Sequence, residues 1–103
     1  MAMEAQDRQL SAVYRKTGEL VRRRIADETL LVPVRGRIAD LQRIYALGPV
    51  AEFIWEAIDG DRSAEEVRDL VLDAFDVGAE QAGSDVLEFL ESLAGAGLVE
   101  RCG

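Results

Sequence analysis

A chain of 103 residues has room for one domain, and a hydrophobic content of 49% lets it close a core without disulfide or metal staples. Its formal charge of −8 is uneven: residues 1–45 carry nine Lys/Arg against six Asp/Glu, and residues 46–103 carry three against fourteen. So acidic a second half opposes approach to a phosphate backbone, and the lack of histidine removes the commonest general base and metal ligand, with any Ser-His-Asp or Cys-His nucleophile.

No phosphate-cradling glycine loop and no metal-ligand spacing is found. The chain therefore reads as a non-enzyme, with no catalytic residue, metal or cofactor expected. Cys102 is the single cysteine, so no intrachain disulfide can form, which suits a reducing cytoplasm. No stretch reaches the ~18 apolar residues of a membrane span, and Met1 to Gly18 lacks the apolar run of a signal peptide. A cytoplasmic location without a membrane partner is the expectation.

Residues 1–18 are polar and weakly patterned and are expected to form a loose N-terminal tail, although Leu10, Val13 and Tyr14 have the spacing of one helical turn. The domain proper is expected over residues 19–103. Val21, Arg23 and Ile25 alternate with Arg22 and Arg24, the pattern of a half-buried strand. Solvated arginines whose stems cover a neighbour explain this triplet better than a nucleic-acid patch. After a turn at Asp27-Glu28, Thr29 to Val34 places Leu30, Val32 and Val34 on one face and Leu31 and Pro33 on the other. Pro33 has no N–H to give to a ladder, so pairing should weaken at that end. Gly36 and Asp40 bracket a loop, and Leu41 to Leu47 is the third strand. Links this short favour an antiparallel meander.

At Gly48-Pro49 the period changes. Proline suits a first helical turn, and Val50, Phe53, Ile54, Ala57 and Ile58 follow at amphipathic spacing. Trp55 lies off the centre of this stripe and reads as a packing residue. Asp59-Gly60 ends the helix. Ser63-Ala64-Glu65-Glu66 is a capping box, opening a second helix with Val67, Leu70, Val71, Ala74 and Phe75 as its apolar stripe. Asp76-Val77-Gly78 stops it. A third helix is expected from about Ala79 to Ala94, buried through Ala82, Val86, Phe89, Leu90 and Leu93, with Gly83 inside it at a cost of about 1 kcal/mol relative to alanine. Leu98-Val99-Glu100 reads as a short terminal extended segment. Three strands with one apolar face need a layer of helices to cover it. The fold class is α+β and winged-helix-like: a three-stranded antiparallel β-meander followed by three α-helices.

Three runs, Glu28 to Arg35, Leu41 to Leu47 and Phe53 to Gly60, together with Asp85-Val86-Leu87-Glu88-Phe89-Leu90-Glu91-Ser92-Leu93 and Gly97-Leu98-Val99, resemble the PqqD family over residues from about 20 to 100. One departure stands at Leu47-Gly48, where the family usually has Leu-Asn; glycine caps a helix less well than asparagine. The resemblance implies a peptide-recognition element of ribosomally made, modified peptides. Such a domain acts as a non-catalytic chaperone that binds a precursor's leader peptide and presents it to a radical-SAM enzyme, in PQQ biosynthesis or a related pathway. It further implies that the leader adds as a strand beside the third strand and lies against the third helix. Carried over by position, the strand side is Gln42, Arg43, Ile44, Tyr45 and Ala46, and the helix side is Leu87, Leu90, Glu91 and Ala94. The third strand of a meander is an edge, and a peptide can supply its missing partner.

Two other classes stay open on the residues alone. A winged-helix nucleic-acid module would share this layout, but its recognition helix should be basic, and there is no Lys or Arg from Ala79 to Gly97. A self-pairing domain, joining its edge strand to that of a second copy as a homodimer, is compatible with the same exposed edge.

Overall fold

The computed structural model describes residues 9–35, 38–39 and 44–102. In chain order the elements are β1 (Tyr14–Lys16), β2 (Glu19–Ile25), β3 (Glu28–Arg35), β4 (Ile38–Ala39), β5 (Tyr45–Leu47), α1 (Pro49–Ala57), α2 (Ala64–Ala74), α3 (Ala79–Gly95) and β6 (Val99–Arg101). The expected α+β architecture, an antiparallel sheet followed by three helices, is present.

β2 and β3 form a hairpin in register from Glu19↔Val34 to Ile25↔Glu28. The turn sits at Ala26-Asp27, with Ala26 at a φ of 54°, a left-handed conformation that costs an alanine roughly 1–2 kcal/mol. The alternation along β3 is the one its sequence sets out: Thr29, Leu31 and Pro33 are buried under the helices, while Leu30, Val32 and Val34 are half-buried on the outer face. The third strand is not continuous. β4 pairs β3 through Val34↔Ala39 and Arg35↔Ile38, and β5 pairs it through Thr29↔Leu47, Leu30↔Ala46 and Leu31↔Tyr45. Only Val32 and Pro33 separate the two paired parts of β3, whereas residues 40–44 separate β4 from β5, so the partner strand is longer than the ladder it faces. The β2 ladder passes Pro33 unbroken, through Leu20↔Pro33.

Residues 9–18 correct the expectation of a loose tail for the part that is described. Leu10 and Ala12 are buried, the Ala64 N–H donates to the Ala12 carbonyl at 2.9 Å, and β1 pairs β6 from Tyr14↔Arg101 to Lys16↔Val99. Two small apolar side chains and a three-residue strand give little local pattern; their order comes from contact with the far end of the chain. Gly18 fixes the turn from β1 to β2. Its φ is +75°, and a Cβ there would lie 2.5 Å from the Gly97 carbonyl oxygen.

The helices begin as their sequences direct. Pro49 stands in the first turn of α1, and Gly48 offers no side-chain cap, the consequence expected of glycine at that position. The Ser63 capping box is complete: the Glu66 N–H donates to Ser63 Oγ at 3.2 Å, and the Ser63 N–H to Glu66 Oε1 at 3.0 Å. Leu31 and Leu47 from the sheet meet Ile54, Val71, Val86, Leu90, Leu93 and Leu98 in one core. Trp55 is buried, as a packing residue should be. Phe89, expected in the core stripe, is only half-buried at its margin.

One polar latch joins the sheet to α1. Thr29 is fully buried, and its hydroxyl donates to Glu52 Oε2 at 2.6 Å. Arg24 and Arg22, on the inner face of β2, reach the same carboxylate at 3.1 and 3.2 Å, and Arg22 also pairs with Glu56. The Thr29 hydrogen bond, then the two guanidinium groups, hold the Glu52 carboxyl below the ordinary glutamate range. A carboxyl with a depressed folded-state pKa contributes stability that is complete above its unfolded value and is lost as pH falls through the folded one. The Glu52→Gln variant should therefore be less stable than the parent at neutral pH, and the gap should close as the pH falls below the ordinary glutamate range. Urea unfolding followed by Trp55 fluorescence across that range measures it.

Candidate functional site

The larger sheet has two edges, and they differ in chemistry. β2 is long, and its inner face carries Arg22 and Arg24, held by Glu52 and Glu56. Charged side chains pointing inward are a common guard against strand addition, because an incoming strand would have to lie beside them. β5 is short and bears no charge: Tyr45 is half-buried, Ala46 exposed and Leu47 buried. Among the described residues of that edge no inward charge of this kind is found.

α3 stands beside β5. The Tyr45 hydroxyl donates to the Ser92 carbonyl oxygen at 2.9 Å and lies 3.2 Å from Ser92 Oγ, so the side chain bridges the strand to the last turns of the helix. At about 100° per residue, Asp85, Glu88 and Phe89 share the flank of Ser92. Leu87, Glu91 and Ala94 fall on the other flank, beyond the buried stripe of Ala82, Val86, Leu90 and Leu93. There Leu87 and Glu91 line a small cavity of about 170 Å³ with Gln9, Tyr14 and Arg101.

The structure thus brings together only part of the set expected from the sequence. Tyr45 and Ala46 form the edge, and Ile44, at 42% exposure, precedes it at the surface. Gln42 and Arg43 lie outside the described residues. Leu87, Glu91 and Ala94 share a helix with Ser92 but not its flank. Leu90, at 1% exposure, is a core residue with no surface to offer a ligand. Ser92 and the flank of Asp85, Glu88 and Phe89 escape the sequence reading. The apolar spacing gives the phase of α3 on its core, whereas the flank that meets β5 depends on how the helix lies on the sheet.

Among the described residues no group of three His, Cys, Asp or Glu could hold a metal ion, and no helix is long and apolar enough to cross a membrane. The lowered pKa values of carboxylates have structural causes: Glu52 answers to Thr29, and Asp59 to the N–H groups of Arg62 and Asp61. The exposed side of α3 carries Glu80, Asp85, Glu88 and Glu91 without a basic residue, a surface that repels phosphate.

The model of the family described as coenzyme PQQ synthesis protein D (PqqD) matches residues 28–99. The chain belongs to the PqqD family. The matched segment opens at β3 and closes at β6, so β1 and β2 precede it. Among solved structures, TbiB1 in complex with the TbiA(beta) leader peptide is similar with a TM-score of 0.65 at 23% identity, over 84% of this chain and 94% of that one. Lasso peptide synthetase B1 complexed with the leader peptide is similar with a TM-score of 0.66 at 17% identity, over 84% and 96%. At these identities the likeness is one of fold. No curated protein sequence matches the chain.

In this PqqD-family domain the Tyr45–Ser92 bond is the direct tie between the open edge and α3. Replacing Tyr45 with phenylalanine removes a hydrogen bond of ordinary strength and should lower stability by about 1 kcal/mol. In amide hydrogen exchange, the loss should appear as faster exchange in β5 and in the last turns of α3 than in the β2–β3 hairpin.

Proposed function

We propose that this PqqD-family domain is a non-catalytic carrier of a leader peptide. It takes the leader of a ribosomally synthesised precursor as an extra strand beside β5 and presents it to a modifying enzyme. That enzyme is a radical-SAM protein, in PQQ biosynthesis or a related peptide-modification pathway, in the cytoplasm. The observation that carries this reading is the contrast between the two edges: β2 is guarded by inward arginines, and β5 is uncharged, exposed at Ala46 and flanked by α3. Main-chain hydrogen bonds to such an edge give affinity, and pockets for alternate side chains give selectivity. The family supports the reading, as do the two structures of like fold, each of which holds a leader peptide.

The leader strand runs along Ile44, Tyr45 and Ala46, with Gln42 and Arg43 continuing the strand side. On α3 the adjacent contacts are Ser92 and Phe89. Leu87, Glu91 and Ala94 are reached only by a peptide that passes over the helix towards β6. Ordering a leader on binding costs roughly 2–5 kcal/mol of the gross interaction, so affinity should be moderate. Self-pairing of two copies would use the same β5 edge and would compete with the leader.

Titration of the labelled domain with the leader of a small precursor encoded beside it tests the reading. Amide shifts should concentrate in residues 44–47 and 85–94 and saturate at micromolar peptide. Single backbone N-methylation along the peptide should weaken binding at alternate positions, since only every second N–H of an added strand faces β5. A folded monomer that shows no shifts sinks the assignment. A light-scattering dimer whose β5 amides are already protected from exchange gives the edge to self-pairing.

A further inference from the structure

We propose that the cavity between the β1–β2 turn and α1 is a separate ligand site, and that its ligand is a carboxylate carried on an apolar body. The cavity has a volume of about 520 Å³. Leu20, Val21, Val34 and Trp55 give it an apolar lining, and Lys16 and Thr17 stand on its polar side. It lies at the start of β2, across the sheet from β5, so a ligand here does not depend on the leader reading.

Lys16 is the only lysine of the chain and Trp55 the only tryptophan. The Lys16 ammonium sits 4.8 Å from the centroid of the Trp55 ring. The two carboxylates that act on it electrostatically, Glu56 and Asp59, are already engaged. Glu56 pairs with Arg22. Asp59 pairs with Arg62 and accepts the N–H groups of Asp61 and Arg62 at 2.9 and 2.8 Å. Among the described side chains no carboxylate forms an ion pair with Lys16. Lys16 remains exposed, and partial loss of hydration, with the nearby Arg22, holds its ammonium below the ordinary lysine pKa against the pull of those two acids. An anion placed beside it would recover the lost interaction, and the aromatic and aliphatic lining would take the ligand's body.

The walls are fixed before any ligand arrives. The Thr17 N–H donates to the Leu98 carbonyl at 2.9 Å, and Gly18 is pressed against the Gly97 carbonyl so closely that a Cβ would not fit. Lys16 itself is held in the β1–β6 ladder opposite Val99. Among the described side chains the cavity is mainly apolar with one convergent charge, the usual form of a small-ligand site. The chemistry fits a free short-chain acid or the carboxyl-terminal residue of a peptide.

Because Trp55 is the sole tryptophan, its emission reports directly on this cavity. Hexanoate should change it saturably and should bind about tenfold more tightly than hexanamide, which has the same body without the charge. N-acetyl-Ala-Ala-Leu with a free or an amidated terminus repeats the comparison for a peptide end. Preference for the free terminus assigns a peptide carboxylate, and a response to hexanoate alone assigns a small acid. Lys16→Met should erase the preference for the charged probe in either series, and Lys16→Arg should retain it. Amide shifts at Gly18 and Val21 and at the Trp55 indole give a second reading of the same events. Equal binding of acid and amide, a preference that survives Lys16→Met, or the absence of any change in both readouts would overturn the proposal.

Discussion

The arrangement of this domain depends on one buried hydroxyl. Thr29 lies on the inner face of β3 with no solvent exposure, and a hydroxyl in that position must find a partner inside the protein. It finds Glu52, and through it α1 is drawn across β3 and β2 with its acidic residues facing the sheet. Two arginines that would otherwise be stranded on the inner face of β2 are thereby neutralised. The chain enters α1 directly from β5 through Gly48-Pro49, and Glu52 then ties the helix to β2 and β3. The β5 edge meets α3 through Tyr45 alone among the hydrogen bonds of the described side chains.

Much of this was legible in the residues. The period-2 alternation of Thr29 to Val34 set the faces of β3, the change of period at Gly48-Pro49 placed the start of α1, and the Ser63 capping box located α2. These features are local, and local chemistry determines them. What escaped is long in sequence separation. β1 pairs with β6, and Arg15 meets Glu100 across most of the chain; Leu10, Ala12 and a three-residue strand carry no periodic signal that announces such a partner. The division of the third strand into β4 and β5 is of the same kind, since it arises from a mismatch in length against β3. Residues 41–43, expected within that strand, lie outside the described part.

The candidate site divides along the same line. The family resemblance carries Tyr45 and Ala46 over as strand residues, and the order of strands agrees with it, because the last strand of a meander is an edge. The helix side could not be read this way. The stripe of Ala82, Val86, Leu90 and Leu93 fixes which residues face the core, and both flanks of that stripe border surface. Only the Tyr45–Ser92 contact distinguishes them. Leu90 illustrates the hazard: in sequence it is an apolar residue one turn from Leu87, and in the fold it is sealed beneath both flanks.

A domain that lends an edge, as proposed for this one, faces a conflict, because an edge that accepts one strand accepts others. Length and charge resolve it here. β5 offers three residues to pair, few enough that backbone bonds alone hold little, so a strand must also find contacts on α3 to remain. Any segment approaching from that side does so in the negative field of Asp85, Glu88 and their neighbours, unrelieved by a basic residue anywhere on the helix. Nucleic acid and strongly acidic chains are disfavoured by that field before any contact forms. The same helix that gives the layout its likeness to a winged-helix DNA reader therefore carries a charge that disfavours DNA, and β5 beside it is short and uncharged.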